Sequence, residues 1–485
     1  MSNRAPVLVG IAQVEQRISD VAEAKEPLEL MIKAVKQAAQ DAGSSELLNA
    51  TSVRVIRGIW PYQNPARAVA EAIGTPNAET AITPYGGNFV QTTLNQSALD
   101  IQAGKHDMII ITGAECGNTQ AKAAKAKFDL DWQTLDGEPD LMIGDDVEMR
   151  HDAEKAVHLG RPIQLYPIFE TALRHAMGMG VEEHLEHISN LWAGFSEVAA
   201  NNPHAWIREA KSAAEIRTPS AINRSVSFPY PKFMNSNNNV DQGAALILCS
   251  QEKATTLGIA PEKWIYPWSG TDAHDHYFVS NRDELCTSPA IRLAGKRALE
   301  LANTEVADLA MVDVYSCFPV AVQVAARELS LNTNKPLTVT GGLTWAGGPL
   351  NNYVMHSIAT MAELLRNQPG EKGMITANGG YLTKHAFGVY SSEPPPTDFQ
   401  YADLQPEVDI LFKRDVADTH EGSAKVEGYA VMYGAQGPDQ AWIACRLDDD
   451  RRVWATNDDQ DVLEAMTTEE FCGRQVHING NLANF

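Results

Sequence analysis

Apolar residues return along this chain with two alternating periods. The run PVLVGIAQV (Pro6–Val14) is short and apolar, as a buried strand requires. It is followed by EPLELMIKAVKQAAQDAG, where Leu28, Met31, Ile32, Val35 and Ala39 recur at helical spacing before Gly43, a predicted stop. QTTLNQSALDIQAG then predicts a helix ending near Gly104, and DMIIITGAE (Asp107–Glu115) a buried strand. After a middle insertion the alternation resumes: PAIRLAGKRALELANT predicts a helix, LAMVDVYSCF a strand, YVMHSIATMAELLRN a helix and GMITANGG a strand. Strand and helix therefore alternate in two blocks, 5–120 and 285–395, which predicts α/β architecture with parallel sheets layered by helices.

The blocks also agree in detail. TPYGGNFVQTTLNQSALDIQAGKHDMIIITGAE and TWAGGPLNNYVMHSIATMAELLRNQPGEKGMITANGG each run as a Gly-Gly loop, a helix, a polar linker and an apolar strand. This fits an internal duplication, although any two αβ units share such a pattern. The Pro triplet 394–396 marks a stiff break. Beyond it AKVEGYAVMYG, QAWIACRLDDDRRVWATN and GRQVHINGN alternate over short spans between turn residues, predicting a small antiparallel, barrel-like β domain.

Composition narrows the function classes. At 485 residues the chain exceeds the ~250–300 residues at which single cores stop growing. A net charge of −23 argues against nucleic acid or anionic membrane as main partner. Six cysteines at 116, 249, 286, 317, 445 and 472 form no CxxC or paired spacing, so neither a zinc site nor a disulfide framework is expected. No signal-peptide pattern opens the sequence and no run reaches membrane-spanning length, so a soluble, cytoplasmic protein is expected.

Several landmarks in order then carry a resemblance: GKHDMIIITGAE, NNNVDQGAALILCSQEKA, VDVYSCFP, GGLTWAGGP and TANGG. Over residues 5–395 the chain resembles the thiolase superfamily. With YSCFP, AGGPLNNYV, NGGYLTKHAFGVYSSEPP and its long C-terminal extension, it is most similar to the thiolase-like type 1 subgroup, often labelled acetyl-CoA acetyltransferase. The resemblance implies a thiolase fold of duplicated βαβαβαββ halves, layered α/β/α/β/α. It implies a first half at 1–120 and 235–285, a substrate-covering loop region at 121–234, a second half at 286–395, a linker at 396–419 and the added β domain at 420–485. CoA or an acyl-CoA is the implied ligand, with no other cofactor and no metal, in a monomer or homodimer.

A thiolase-type condensation needs a cysteine thiolate at a helix start, a His that lowers its pKa, a second Cys as acid/base and oxyanion donors. By alignment of motifs the nucleophile position falls on or next to Gly87, the GHP histidine on Gly348 and the CxG cysteine on Asn378. All three usual side chains are replaced. What the pattern leaves is a donor-lined pocket, with Gly87, Asn88, Gln91, Gly348 and Gly380 as candidate substrate-binding positions.

Four residues are candidates for chemistry. Asn378 occupies the acid/base position. Tyr315 takes the place of the residue that orients an oxyanion-hole water, and a phenol can donate to an enolate; the alternative is a Tyr merely bonded at a strand end. His385, just past the CxG position, is a candidate general base or a structural His. Cys317 matches a position usually spent on packing. His356 is expected to face helix packing, Lys384 to be solvated, and His184 and His187 to lie on a solvated acidic helix rather than bind metal. Three readings stay open: carbon–carbon bond chemistry on an acyl-CoA without cysteine, including a Tyr315 retro-aldolase; ordinary acyl transfer through Cys317 or His385; and a non-catalytic acyl-CoA-binding or assembly subunit.

Overall fold

A computed structural model describes residues 4–485. The first half builds one sheet from β1 (Pro6–Glu15), β2 (Ser52–Val55), β3 (Glu79–Ile82), β4 (Met108–Cys116), β5 (Leu141–Met142) and, after two short strands β6 (Ser225–Phe228) and β7 (Tyr230–Pro231), β8 (Asp241–Ser250). Its spatial order is β1-β8-β4-β2-β3-β5. The second half builds a sheet from β9 (Tyr266–His274), β10 (Leu309–Asp313), β11 (Lys372–Gly379), β12 (Lys384–Ser391) and β13 (Gln400–Asp403), in the order β10-β11-β12-β9-β13. The strands correspond one to one: β1 with β9, β2 with β10, β4 with β11 and β8 with β12. Parallel pairing joins β2 to β4 and β10 to β11; antiparallel pairing joins β4 to β8, β8 to β1, β11 to β12 and β12 to β9. The predicted duplication is thus present in sheet topology. Strands β3 and β5 lack counterparts in the second half, and β13 lacks one in the first.

The principal helices are α1 (Pro27–Asp41), α2 (Pro65–Ala72), α3 (Phe89–Gln102), α4 (Pro162–Met177), α5 (Val181–Asn201), α6 (Pro289–Leu301), α7 (Pro319–Leu329) and α8 (Tyr353–Arg366). Helix α1 starts where its pattern predicts, with Pro27 in its first turn and a reciprocal capping box between Glu26 and Glu29. Helices α3 and α8 lie between the two sheets, α1 and α2 cover the first sheet, and α6 covers the second, giving an α/β/α/β/α stack. Strand β4 is buried along its whole length, which is why its sequence is a continuous apolar run rather than an alternating one.

Strand β10 ends at Asp313, so the expected strand LAMVDVYSCF stops short of Tyr315 and Cys317. The Asp313 carboxylate ends the ladder by accepting from Thr338 (2.8 Å), Ser357 (2.7 Å) and Tyr353 (3.1 Å), and the Tyr315 N–H bonds to Thr376 Oγ1 at 3.0 Å. Tyr315 is thereby freed from the sheet and set in the turn that opens α7.

The C-terminal residues form strands β14 (Val416–Ala417), β15 (His420–Gly434), β16 (Gly437–Arg446), β17 (Arg452–Asn457), β18 (Gln475–Gly480) and β19 (Leu482–Asn484). Pairings β15–β16–β17–β19–β18–β15 close into a ring around its own core of Val426, Tyr429, Ile443, Val453 and Ile478. Strand β6, from the middle of the chain, adds to β15 through Val431↔Phe228 and Met432↔Ser227. The ring meets the two-sheet body at Arg452, which is wholly buried. Its guanidinium donates to Glu427 (2.7 and 2.8 Å) and to the carbonyls of Ser280 (2.9 Å) and Arg282 (2.7 Å). No helix among the described residues is long and apolar enough to cross a membrane.

Candidate active site

A cavity of about 590 Å³ opens where the two halves and the middle region meet. Gly86 and Gly87 contribute the loop before α3, Gly379 and Gly380 the loop after β11, and Tyr315 and Cys317 the turn before α7. Tyr166 and Arg161 come from the start of α4, Met149 from the preceding loop, and Asn235, Ser236 and Asn238 from the asparagine-rich segment. The structure therefore brings together five of the positions read from sequence: Gly87, Gly380, Tyr315, Cys317 and Asn378.

Tyr315 occupies the space that a nucleophile would need. A Cβ placed on Gly87 would lie 2.5 Å from the Tyr315 hydroxyl and 2.5 Å from the Asn378 carbonyl oxygen, below any tolerable contact. The glycine is required by this close approach, and the phenol stands over the amino end of α3. The Tyr315 O–H has no hydrogen-bond acceptor among the described residues, while its ring is held edge-on against Tyr353 at 5.5 Å between centroids. Burial pushes its pKa well above the usual value, so the phenol is a proton donor at neutral pH.

Around it the polar groups are fixed. Tyr166 Oη accepts from Asn378 Nδ2 (3.0 Å) and from the Leu382 N–H (2.9 Å), and donates to the Gly380 carbonyl (3.2 Å). The Asn378 amide also reaches Cys317 Sγ at 3.6 Å, and its Oδ1 is buried with no partner among the described residues. Burial pushes the Cys317 thiol up to about 12, which keeps it protonated and removes it as a nucleophile at neutral pH.

The remaining sequence candidates lie outside this lining. Gln91 is spent inside the protein, donating to Asn95 Oδ1 (2.8 Å) and accepting from Tyr390 (2.8 Å). Asn88 is buried between Gly86 and Gly379, whose Cβ positions its Oδ1 would fill. The Gly348 N–H is already used, donating to the Asn237 carbonyl at 2.9 Å. His385 sits on β12 facing α6, with Nε2 3.4 Å from Ser288 Oγ and 3.6 Å from Asp275. Burial opposes ionisation of Asp275, yet His385 and Arg282 hold its carboxyl below the usual range.

Two expectations about charge are corrected. Lys384 is buried, not solvated: its ammonium donates to the Tyr85 carbonyl (2.8 Å) and lies 4.8 Å from the Phe89 ring centre. His184 is buried too, 2.7 Å from the carboxylate of Glu170, which also accepts from Tyr230 (2.5 Å) and Gln323 (2.7 Å). The acidic helix turns this His inward, and only His187 is exposed. No group of three metal-ligating side chains occurs among the described residues. His356 does face packing, paired with Gln13 at 2.9 Å, and burial lowers its pKa to about 3.

Sequence reading missed Tyr166, Met149 and Arg161. The stretch from Arg161 reads only as helices of the substrate-covering region, and only the fold over the cavity gives these side chains a role.

The comparisons with known proteins agree with this fold. Over nearly all of its length the chain matches the crystal structure of a monomeric SCP2-thiolase like protein type 1 from Mycobacterium smegmatis. Identity is 30%, coverage 99% of this chain and 98% of that one, and the TM-score 0.85. The chain belongs to the thiolase-like protein type 1 family. Residues 403–481 match the family model described as the thiolase-like protein type 1 additional C-terminal domain. An Ltp2-ChsH2(DUF35) aldolase shares the fold at 18% identity, covering 80% of this chain and 97% of that one, with a TM-score of 0.61. The acetyl-CoA acetyltransferase of Methanocaldococcus jannaschii is 22% identical over 240 residues; the match spans 49% of this chain and about half, 53%, of that relative.

For this thiolase-like type 1 protein the Tyr315–Gly87 contact makes a direct prediction. Gly87→Cys drives a side chain into the phenol, so it is expected to destabilise the fold by about 1–3 kcal/mol. Gly87→Cys combined with Tyr315→Ala is expected to recover part of that loss, the clash with the Asn378 carbonyl oxygen remaining. Equal destabilisation by the single and double variants in urea melts would show that the phenol is not what excludes the side chain.

Proposed function

We infer that the protein binds an acyl thioester in this cavity and acts on a carbon–carbon bond of it by proton transfer at Tyr315, in place of acyl transfer through cysteine. The observation that carries this reading is the unpaired phenol standing over Gly87, where a thiolase has its nucleophile. Backbone N–H groups at the start of α3 and around Gly380 are suited to the thioester carbonyl, and an oxyanion formed there is stabilised by preorganised donors. In the condensation direction an enolate carbon attacks a carbonyl, and the phenol gives its proton to the resulting alkoxide. Cleavage runs this step backwards: it needs the phenolate to take the hydroxyl proton as the carbon–carbon bond breaks to a carbonyl compound and the thioester enolate, a state of Tyr315 that burial disfavours at neutral pH. A phenol kept protonated by burial is matched to the donor role. The shared fold of the Ltp2-ChsH2(DUF35) aldolase supports this class of reaction, and the protonated Cys317 weighs against acyl transfer.

The test is a thermal-shift and calorimetric titration with CoA, acetyl-CoA and acetoacetyl-CoA. A ligand that binds only the folded chain raises stability by RT ln(1 + [L]/Kd), so a higher melting temperature is expected with the thioesters. No shift at millimolar ligand would rule out the acyl-CoA reading and favour an assembly role.

A further inference from the structure

A groove of about 880 Å³ lies away from the candidate active site along the outer edge of β10. Leu309, Ala310, Met311 and Val312 all border it, as expected of a strand with no neighbour on that side. The walls are Leu337 in the loop after α7, Leu364 on α8 and Val198 near the end of α5. The duplicated fold says what belongs here. In the first half the edge of β2 is closed by β3, paired in parallel through Ser52↔Glu79 to Val55↔Ile82. In the second half the chain between α7 and α8 forms no strand; it meets the end of β10, where the Val314 N–H donates to the Leu337 carbonyl at 2.9 Å and Thr338 Oγ1 and the Val339 N–H donate to the Asp313 carboxylate at 2.8 and 2.9 Å, and it pairs with none of Leu309–Val312. The groove stands in the place of the missing strand.

We propose that this groove is a docking site for an extended, largely apolar peptide segment of a partner protein, which adds to β10 as a parallel strand in the position that β3 occupies in the first half. Strand addition satisfies the free N–H and C=O groups of an edge, and alternate side chains of the incoming segment reach apolar walls. A hydrocarbon ligand would cover the same walls but bury those backbone groups without partners. A second copy related by a two-fold axis would pair its own β10 antiparallel, contrary to the parallel arrangement of the first half. Ala310 is exposed on the edge and Met311 only half-buried, so both are available to an incoming strand. Lys335 and Glu363 border the groove with one charge of each sign, which sets no strong demand on the charge of the segment.

The test uses the full chain. A displayed library of random peptides is selected on the immobilised protein, and enriched peptides are measured by calorimetry and by hydrogen exchange. The expected result is slowed exchange at Leu309–Val312 and an affinity loss of at least about tenfold in both Ala310→Pro and Leu364→Asp, with the melting temperature of the acyl-CoA titration unchanged. Ala310→Lys, a change at an exposed side chain, serves if Ala310→Pro fails to fold. The proposal is overturned if no peptide is enriched, or if enriched peptides are indifferent to these substitutions. It is equally overturned if dodecanoate alone protects the groove, or if sedimentation reveals a dimer that Ala310→Pro abolishes.

Discussion

Tyr315→Phe is expected to lower carbon–carbon bond turnover by about 10²–10⁴-fold, the range ascribed to one positioned acid or base, while leaving thioester affinity and melting temperature near those of the parent. The substitution removes one oxygen. That oxygen makes no hydrogen bond within the described protein, so its loss orphans no buried group, and the ring keeps its contact with Tyr353. The effect belongs in kcat, because the proton is needed in the transition state rather than on binding. Burial holds the phenol protonated across the neutral range, so the parent's condensation rate should not fall between pH 6 and 8 through this group. Unchanged turnover in Tyr315→Phe would leave the cavity as a binding site and remove Tyr315 from the chemistry. A large loss of affinity instead would make the phenol a ligand contact rather than a proton donor.

The second large effect is on stability. Arg452→Met is expected to cost about 3–5 kcal/mol, the range for breaking a buried charge pair from one side, because the carbonyls of Ser280 and Arg282 lose this donor and Glu427 is left with Arg446 alone. Burial works against ionisation of Glu427, but Arg452 and Arg446 hold its carboxyl below the usual range. The sign of the pH dependence follows. A carboxyl depressed on folding contributes stability above its unfolded value, and that contribution is lost as pH falls through the folded one. Urea melts should therefore show the full gap between parent and variant at pH 7 and a smaller gap below about pH 4. Replacing Glu427 with Gln in the same variant should recover part of the loss, since a buried carboxylate that has lost one of its two arginines is then gone. A gap independent of pH would assign the cost to lost packing of the long side chain.

How much of this was legible in the residues depended on the kind of signal. The alternation of apolar strand and amphipathic helix located β1, α1, α3, β4, α6, α8 and β11, and the family motifs located Gly87, Asn378 and Tyr315. Periodicity could not show that the ladder of β10 ends at Asp313, because the cause is a carboxylate bonding to residues far along the chain. It could not show that Lys384 and His184 are buried either. Each is paid for by one partner, a carbonyl for Lys384 and the carboxylate of Glu170 for His184, which only tertiary structure supplies. Gln91 illustrates the converse. Placed at the mouth of a helix, it reads as a ligand donor, yet Tyr390 and Asn95 already use it.

Strand β6 joins the C-terminal ring although it precedes it in sequence by nearly two hundred residues, with Phe228 against Val431 and Ser227 against Met432. The added domain is therefore not a detachable module in the genetic sense. A stop codon in the linker would leave β6 without β15, baring backbone in the middle region, and the domain made alone would lack this added strand. Homologous recombination at that boundary would be penalised for the same reason, which ties the inheritance of the appendage to that of the segment around residues 225–231.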